Sequence, residues 1–350
     1  MGIYNSEIYI NEINSFDKII NWNRLRDKTF LISGASGMIG GFLIDVIMEK
    51  NIKDNLNCKI YALGRSEDKL KNRFSRYLDE SLLVFLQYDI QKPLSYNIES
   101  VDYVLHLASN THPLLYSTDP IGTILTNVIG VKNMLDFSVE HHVSRFAFAS
   151  SNEMYGENRG DVELFTEDYC GYINCNTLRA GYPESKRCGE ALCQAYKSQK
   201  GLDIVIPRLT RTFGPTMSMS DTKASSQFIK KGIEGEDIVL KSKGTQFFSY
   251  TYVADAVSGL LTVLLYGENG EAYNISDECG DIMLKDFAAI VAEICRTKVV
   301  FELPDAVEAM GYSKATKARL DGGKLRALGW KPQYDIRLGI ERTLQILKSE

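Results

Sequence analysis

The chain opens with apolar positions near helical spacing. Ile10, Ile13, Phe16, Ile19, Ile20 and Trp22 stripe the first 28 residues, which are expected to dock as an amphipathic extension. A different rhythm follows. The short apolar runs Thr29–Ser33, Lys59–Gly64, Leu83–Tyr88, Tyr103–Ala108, Arg145–Ala149 and Ile204–Arg208 alternate with stretches of helical period. Strands that read as unbroken apolar runs are covered on both faces, so the alternation predicts βαβ units in a doubly wound parallel sheet of Rossmann type. After Gly214-Pro215 the regularity lapses into turn-rich segments with helices around 224–234 and 283–295, which predicts a smaller, interleaved C-terminal substrate domain. The expected division is 1–28 extension, 29–208 dinucleotide-binding domain with a later strand from about 248–275, and 209–247 with 276–350 as the substrate domain.

The first strand runs into Gly34-Ala-Ser36-Gly37-Met38-Ile39-Gly40 and then an amphipathic segment. Glycines at a strand-to-helix turn give positive φ and close approach to a pyrophosphate, and the helix N-terminus offers free N–H groups. This turn alone is a weak signal, shared with ordinary strand-helix junctions. At the second strand's end Gly64 offers no carboxylate for an adenosine ribose diol. Arg65 beside it either pairs with a 2′-phosphate, which favours NADP over NAD, or is a solvated loop arginine. Asp89 and Ile90 follow the third strand, and Asp89 could accept from an adenine amino group. Leu107-Ala108-Ser109 ends the fourth strand in small residues suited to a close cofactor.

Tyr182-Pro-Glu-Ser-Lys186 sets a phenol and an ammonium one helical turn apart on one face. Such a pair is common by chance. It gains weight from Ser150-Ser151-Asn152-Glu153-Met-Tyr155-Gly156 directly after the fifth strand, at the sheet edge where such folds bind ligands. The ammonium is expected to lower the tyrosine pKa, so that Tyr182 exchanges a proton with a sugar hydroxyl or ketone while Ser151 holds the same oxygen. Asn127 either orients this group or is a buried helix residue satisfied locally.

Length and charge narrow the class. A chain of 350 residues is long enough for about two domains at about 150 residues each. A net charge of −5 gives nucleic acid no basic face. Seven cysteines without a C-x-x-C pair and four histidines argue for free thiols and no metal site. No leader-like start or long apolar run is seen, so a cytoplasmic enzyme without membrane contact is expected.

Together, the glycine turn, Ser151-x-x-x-Tyr155-Gly156, Tyr182-x-x-x-Lys186 and Arg208-Leu-Thr-Arg-Thr-Phe-Gly-Pro215 resemble the extended short-chain dehydrogenase/reductase family, over roughly residues 29–335. The stretch Gly214–Ile229 is most similar to UDP-glucuronate decarboxylases, and Glu153 falls where those enzymes and the 4,6-dehydratases keep a glutamate base. The resemblance implies hydride transfer at the carbon of a nucleotide-linked sugar, with Tyr182 and Lys186 as acid-base pair, a homodimer, and substrate contacts from Asn152, Arg211, Lys223, Gln227, Tyr250 and Arg319. The departures count too. Lys223 replaces an arginine that handles the uronate, Phe247 and Phe248 fall where an arginine meets the diphosphate, and Arg211 replaces a substrate-contacting asparagine. Arg211 and Arg319 are the expected replacements for the lost charge. The NADP-type strand end favours NADPH-dependent reduction of a nucleotide-linked keto sugar for surface polysaccharide. The alternative is a decarboxylase, 4,6-dehydratase or epimerase with internal redox cycling, which Glu153 favours.

Overall fold

A computed structural model of the chain describes residues 2–18, 20–111, 113–302 and 316–349. Of the apolar positions assigned to the N-terminal extension, Ile19 lies outside the described residues.

Eight strands form the main sheet: β1 (Thr29–Ser33), β2 (Lys59–Gly64), β3 (Leu83–Gln87), β4 (Tyr103–His106), β5 (Arg145–Phe148), β6 (Ser150–Ser151), β7 (Ile204–Leu209) and β11 (Ala272–Ile275). Their order is β3-β2-β1-β4-β5-β7-β11, with the short β6 also paired to β7, and the pairings are all parallel. The order reverses beside β1. There the strand ends open a crevice for a ligand, the topological switch point of doubly wound sheets. Four of the five β1 residues are buried, as a strand covered on both faces requires.

Before the sheet lies α1 (Glu7–Asn14). On its faces pack α2 (Met38–Asp54), α3 (Glu67–Arg73), α4 (Pro113–Thr118), α5 (Pro120–Glu140) and α6 (Gly181–Lys200). The extension packs against α2. Tyr4 and Tyr9 both donate to Asp45, a fully buried carboxylate of α2 that also pairs with Arg73 at 2.5 Å.

The second sheet comprises β8 (Arg211–Phe213), β10 (Phe247–Tyr252), β12 (Asp281–Met283) and β14 (Lys317–Ala318), and β9 (Ile238–Leu240) pairs with β13 (Val299–Phe301). Around them sit α7 (Ala224–Glu234) and α9 (Leu284–Cys295), the helices expected in this half, while α8 (Val253–Tyr266) follows β10. The stretch 248–275, expected to return whole to the main sheet, divides instead. Only α8 and β11 return; β10 lies between β8 and β12. Five of its six residues are buried, a pattern that fits the centre of either sheet, so the apolar run could not name its partner.

Candidate active site

The cleft begins at the turn between β1 and α2. Gly34 adopts φ +70°, and a Cβ there would meet Leu107 and Ala108 backbone atoms at 2.8 Å. A Cβ on Gly40 would lie 2.5 Å from the Gly34 carbonyl oxygen. Only glycine fits either position. Gly37 caps α2 without a side-chain bond, which leaves the first N–H groups of a 17-residue helix facing the cleft. That glycine cradle fits a dinucleotide pyrophosphate.

The cleft holds about 1230 Å³, large for a single small ligand. Of the residues expected to bind cofactor, Gly34, Ser36, Gly37, Met38, Ile39, Gly40, Arg65, Asp89, Ile90, Leu107, Ala108, Ser109, Tyr182 and Lys186 all line it. Asn127 does not. It lies fully buried beneath the surface, accepting from Ser109 Oγ at 2.8 Å and donating to Ser185 Oγ at 2.9 Å, so it joins α5 and α6 behind the cleft rather than facing a ligand. Ser66 and Lys69 line the cleft beside Arg65. Sequence reasoning passed over both because polar residues at a helix start are ordinary N-cap material.

Ser151 and Glu153 sit where β6 passes into a 3-10 turn, and the Ser151 hydroxyl accepts from the Glu153 backbone N–H at 3.2 Å. Tyr182 and Lys186 occupy the first turns of α6, both almost fully buried. Burial pushes the Tyr182 phenol up to about 12, with Glu153 acting in the same direction, while hydrogen bonding with Ser151 and Ser109 and the charge of Arg179 oppose the rise. The expected lowering by Lys186 is therefore not the balance in this site. Desolvation decides it, while the ammonium lies 5.9 Å from the ring centroid and donates to the Ala149 carbonyl at 2.8 Å. The same burial holds Lys186 down at about 8.

Asn152, Arg211, Lys223, Gln227 and Tyr250 line the wide end of the cleft. Lys223 Nζ reaches Thr111 Oγ1 and Asp221 Oδ2, each at 3.3 Å. Gln227 donates to the Asp221 carbonyl. Arg319, expected to share the phosphate charge with Arg211, is not among the lining residues. It pairs with Glu163 at 2.7 Å and Asp281 at 3.6 Å and lies over the Phe247 ring, so two carboxylates already use its charge. Arg179 went unnoticed in the sequence although it stands three residues before Tyr182. It enters the site from the 3-10 turn ahead of α6, donates to Glu153 Oε2 at 2.7 Å, and lies 4.7 Å over the ring of Tyr116, which stacks on Tyr182 at 4.8 Å. A basic residue just ahead of a Tyr-x-x-x-Lys helix was the available signal.

A glycine-cradled dinucleotide cleft that ends on a Ser-Tyr-Lys constellation defines an oxidoreductase-type site of the short-chain dehydrogenase/reductase kind. The model of the NAD dependent epimerase/dehydratase family matches residues 30–276. The chain belongs to that family, whose members in this group are extended short-chain dehydrogenase/reductases. It is 32% identical over 314 residues to UDP-glucuronic acid decarboxylase 5 of Arabidopsis thaliana, covering 89% of this chain and 86% of that protein. It is 31% identical to UDP-glucuronic acid decarboxylase 1 of Danio rerio, covering 92% of this chain and 73% of that protein. Among solved structures, dTDP-glucose 4,6-dehydratase of Streptomyces venezuelae with NAD bound shares the fold at TM-score 0.78 and 23% identity, over 91% of this chain and 96% of the other. UDP-glucuronic acid 4-epimerase of Bacillus cereus with UDP-glucuronic acid and NAD gives 0.76 and 20%, over 91% and 99%. Among the described residues no helix is long and apolar enough to cross a membrane, and no cluster of His, Cys, Asp or Glu is placed to hold a metal.

Proposed function

We propose that this enzyme converts a nucleotide-activated sugar by internal redox, as a decarboxylase, dehydratase or epimerase, with no net consumption of cofactor. The observation that carries the reading is Glu153, which lines the cleft together with Ser151 and Tyr182 and is held by Arg179 at 2.7 Å. Reduction of a ketone needs a proton donor and a hydride, whereas chemistry on a transient ketone also needs a group to manage protons at carbon. The relatives named above, decarboxylases over most of their length, support this reading over net reduction of a keto sugar.

A bound nicotinamide would supply the hydride acceptor and then the donor. Tyr182 takes the proton of the sugar hydroxyl as the ketone forms and, in a decarboxylase or epimerase, returns it when the ketone is reduced again. Ser151 hydrogen-bonds with the phenol and holds the same substrate oxygen, and the Lys186 ammonium beneath the ring stabilises the phenolate. Glu153, aimed by Arg179, handles the proton at carbon.

One observation favours net reduction. Arg65, Ser66 and Lys69 gather at the end of β2 where an adenosine 2′-phosphate would sit, which supports NADP over NAD. The expected homodimer is proposed on the exposed apolar strip of α5, Ile121, Leu125 and Ile129; sedimentation at micromolar protein tests that.

The deciding experiment follows product and cofactor absorbance together. Internal redox gives turnover with substoichiometric dinucleotide, and where protons are handled at carbon, as in a dehydratase, it also gives incorporation of solvent deuterium at carbon and at least a ~10²-fold loss in Glu153→Gln. Stoichiometric loss of NADPH absorbance with a keto-sugar nucleotide, and a Glu153→Gln loss of about tenfold or less, would reverse the choice.

A further inference from the structure

The phenol of Tyr182 has a neighbour that the proposed chemistry does not use. Tyr116 comes from α4, the six-residue helix between β4 and α5, and is 6% exposed although Leu114 on the same helix is 48% exposed. A short helix on the cleft wall thus turns one aromatic ring inward. That ring stacks on Tyr182, with centroids 4.8 Å apart and planes 25° from parallel. The Arg179 guanidinium lies 4.7 Å from the centroid of the same Tyr116 ring, while its Nη2 donates to Glu153 Oε2 at 2.7 Å. All four side chains line the cleft. One ring therefore joins the two groups that handle protons, the Tyr182 phenol and the Glu153 carboxylate.

Each contact has a physical reason. A helical side chain leans over the turn N-terminal to its own Cα, and Tyr182, the second residue of α6, has only the single 3-10 turn of Leu178–Ala180 in front of it. Support for its ring must come from another element, and α4, packed against that 3-10 turn, supplies it. Stacking alone has a drawback. An aromatic face is electron-rich, so a second ring laid on Tyr182 disfavours a phenolate there. A guanidinium over Tyr116 is drawn to that negative face and offsets the repulsion. With Arg179 in place, a stacked ring holds Tyr182 without opposing its ionisation. Tyr116 is not a second base: burial pushes its phenol well above the ordinary range, with the charges of Tyr182 and Glu153 acting in the same direction.

We propose that Tyr116 is a positioning residue for the reaction, its ring fixing the Tyr182 hydroxyl at the substrate oxygen and in step with the Arg179–Glu153 pair. The inference rests on Tyr182 as the acid-base group and goes beyond it, because the role belongs to the Tyr116 ring and leaves the Tyr116 hydroxyl dispensable. A reacting group displaced by about 1 Å costs up to about 10²-fold in rate, which sets the scale of the effect.

The test is steady-state kinetics of Tyr116→Leu and Tyr116→Phe at saturating dinucleotide, with whichever of UDP-glucuronic acid, UDP-glucose and dTDP-glucose the parent protein converts, and with Tyr182→Phe measured beside them. Tyr116→Leu is expected to lower kcat about 10- to 100-fold, with KM for the sugar nucleotide and dinucleotide affinity within about threefold of the parent. Tyr116→Phe keeps the stacking ring and should retain kcat within about threefold. Should Tyr116→Leu fail to fold, Tyr116→Met, whose unbranched chain fills irregular space, is read the same way. Added to Arg179→Met, Tyr116→Leu should cost less than it does alone, since both act through one stack. An unchanged kcat in Tyr116→Leu overturns the proposal. So does a rise in KM with kcat held, which places the ring on the substrate, or a Tyr116→Phe variant as impaired as Tyr116→Leu, which gives the role to the hydroxyl. A fully active Tyr182→Phe protein would instead refute the acid-base role of Tyr182, and leave Tyr116 nothing to position.

Discussion

Replacing Lys186 with methionine should stabilise the protein while disabling it. The lysine is 3% exposed, and burial lowers its ammonium from 10.5 to about 8. A group whose folded pKa lies below its unfolded value binds fewer protons in the native state, so it destabilises fully below about 8 and ceases to do so above 10.5. At about 1.4 kcal/mol per pKa unit the charge costs about 3 kcal/mol at pH 7 and about 1 kcal/mol at pH 10. Methionine keeps the apolar stem but loses the bond to the Ala149 carbonyl and the contact with the Phe148 ring 5.0 Å away, together worth about 1 kcal/mol. The net expectation is a cofactor-free variant about 2 kcal/mol more stable at pH 7 and no more stable than the parent at pH 10. Urea denaturation of both proteins at pH 7, 8.5 and 10 reads the difference, with the other titrations cancelling between them. A variant less stable at pH 7, or an offset that does not change with pH, would refute the claim that the site holds its ammonium against burial.

Tyr182→Phe should lower kcat by about two to four orders of magnitude, the range for a lost general acid-base, with dinucleotide affinity held; full activity would remove Tyr182 from the chemistry. Arg65→Ala should bring the affinity ratio of NADPH to NADH toward one in fluorescence titrations, and a parent protein that does not favour NADPH would refute the 2′-phosphate role. Arg73→Met leaves the fully buried Asp45 without its cation and should cost about 3–5 kcal/mol, whereas pairing it with Asp45→Leu should recover most of that; equal losses in the single and double variants would refute the pairing argument.

What could be read from the sequence was whatever local geometry alone constrains. The Gly34 and Gly40 positions are legible because a backbone with positive φ and a 2.5 Å contact to a carbonyl oxygen admit a single residue type wherever the rest of the chain goes. The Tyr182–Lys186 spacing is legible because one helical turn puts both on one face. Partner choice was not. Arg211 and Arg319 are both arginines in turn-rich sequence and each lies over a phenylalanine of β10, yet Arg319 also pairs with Glu163 and Asp281 while Arg211 lines the cleft. That pairing depends on contacts distant in sequence, and the apolar run of β10 suits either sheet.

The failed expectation about the Tyr182 phenol shows how the site works. From spacing alone a neighbouring ammonium lowers a phenol's pKa, but burial disfavours both charges, and each group separately is pushed toward neutrality: tyrosine up to about 12, lysine down to about 8. The two penalties oppose catalysis only while each charge stands alone. A phenolate formed over the Lys186 ammonium gives that ammonium the anion it lacks, so ionising the pair together is far less costly than ionising either group by itself. Arg179 adds to this, its charge favouring the phenolate while it holds Glu153. Proton uptake from a sugar hydroxyl is then coupled to the presence of both cations, and removal of either should raise the pH at which activity appears rather than merely lower its maximum.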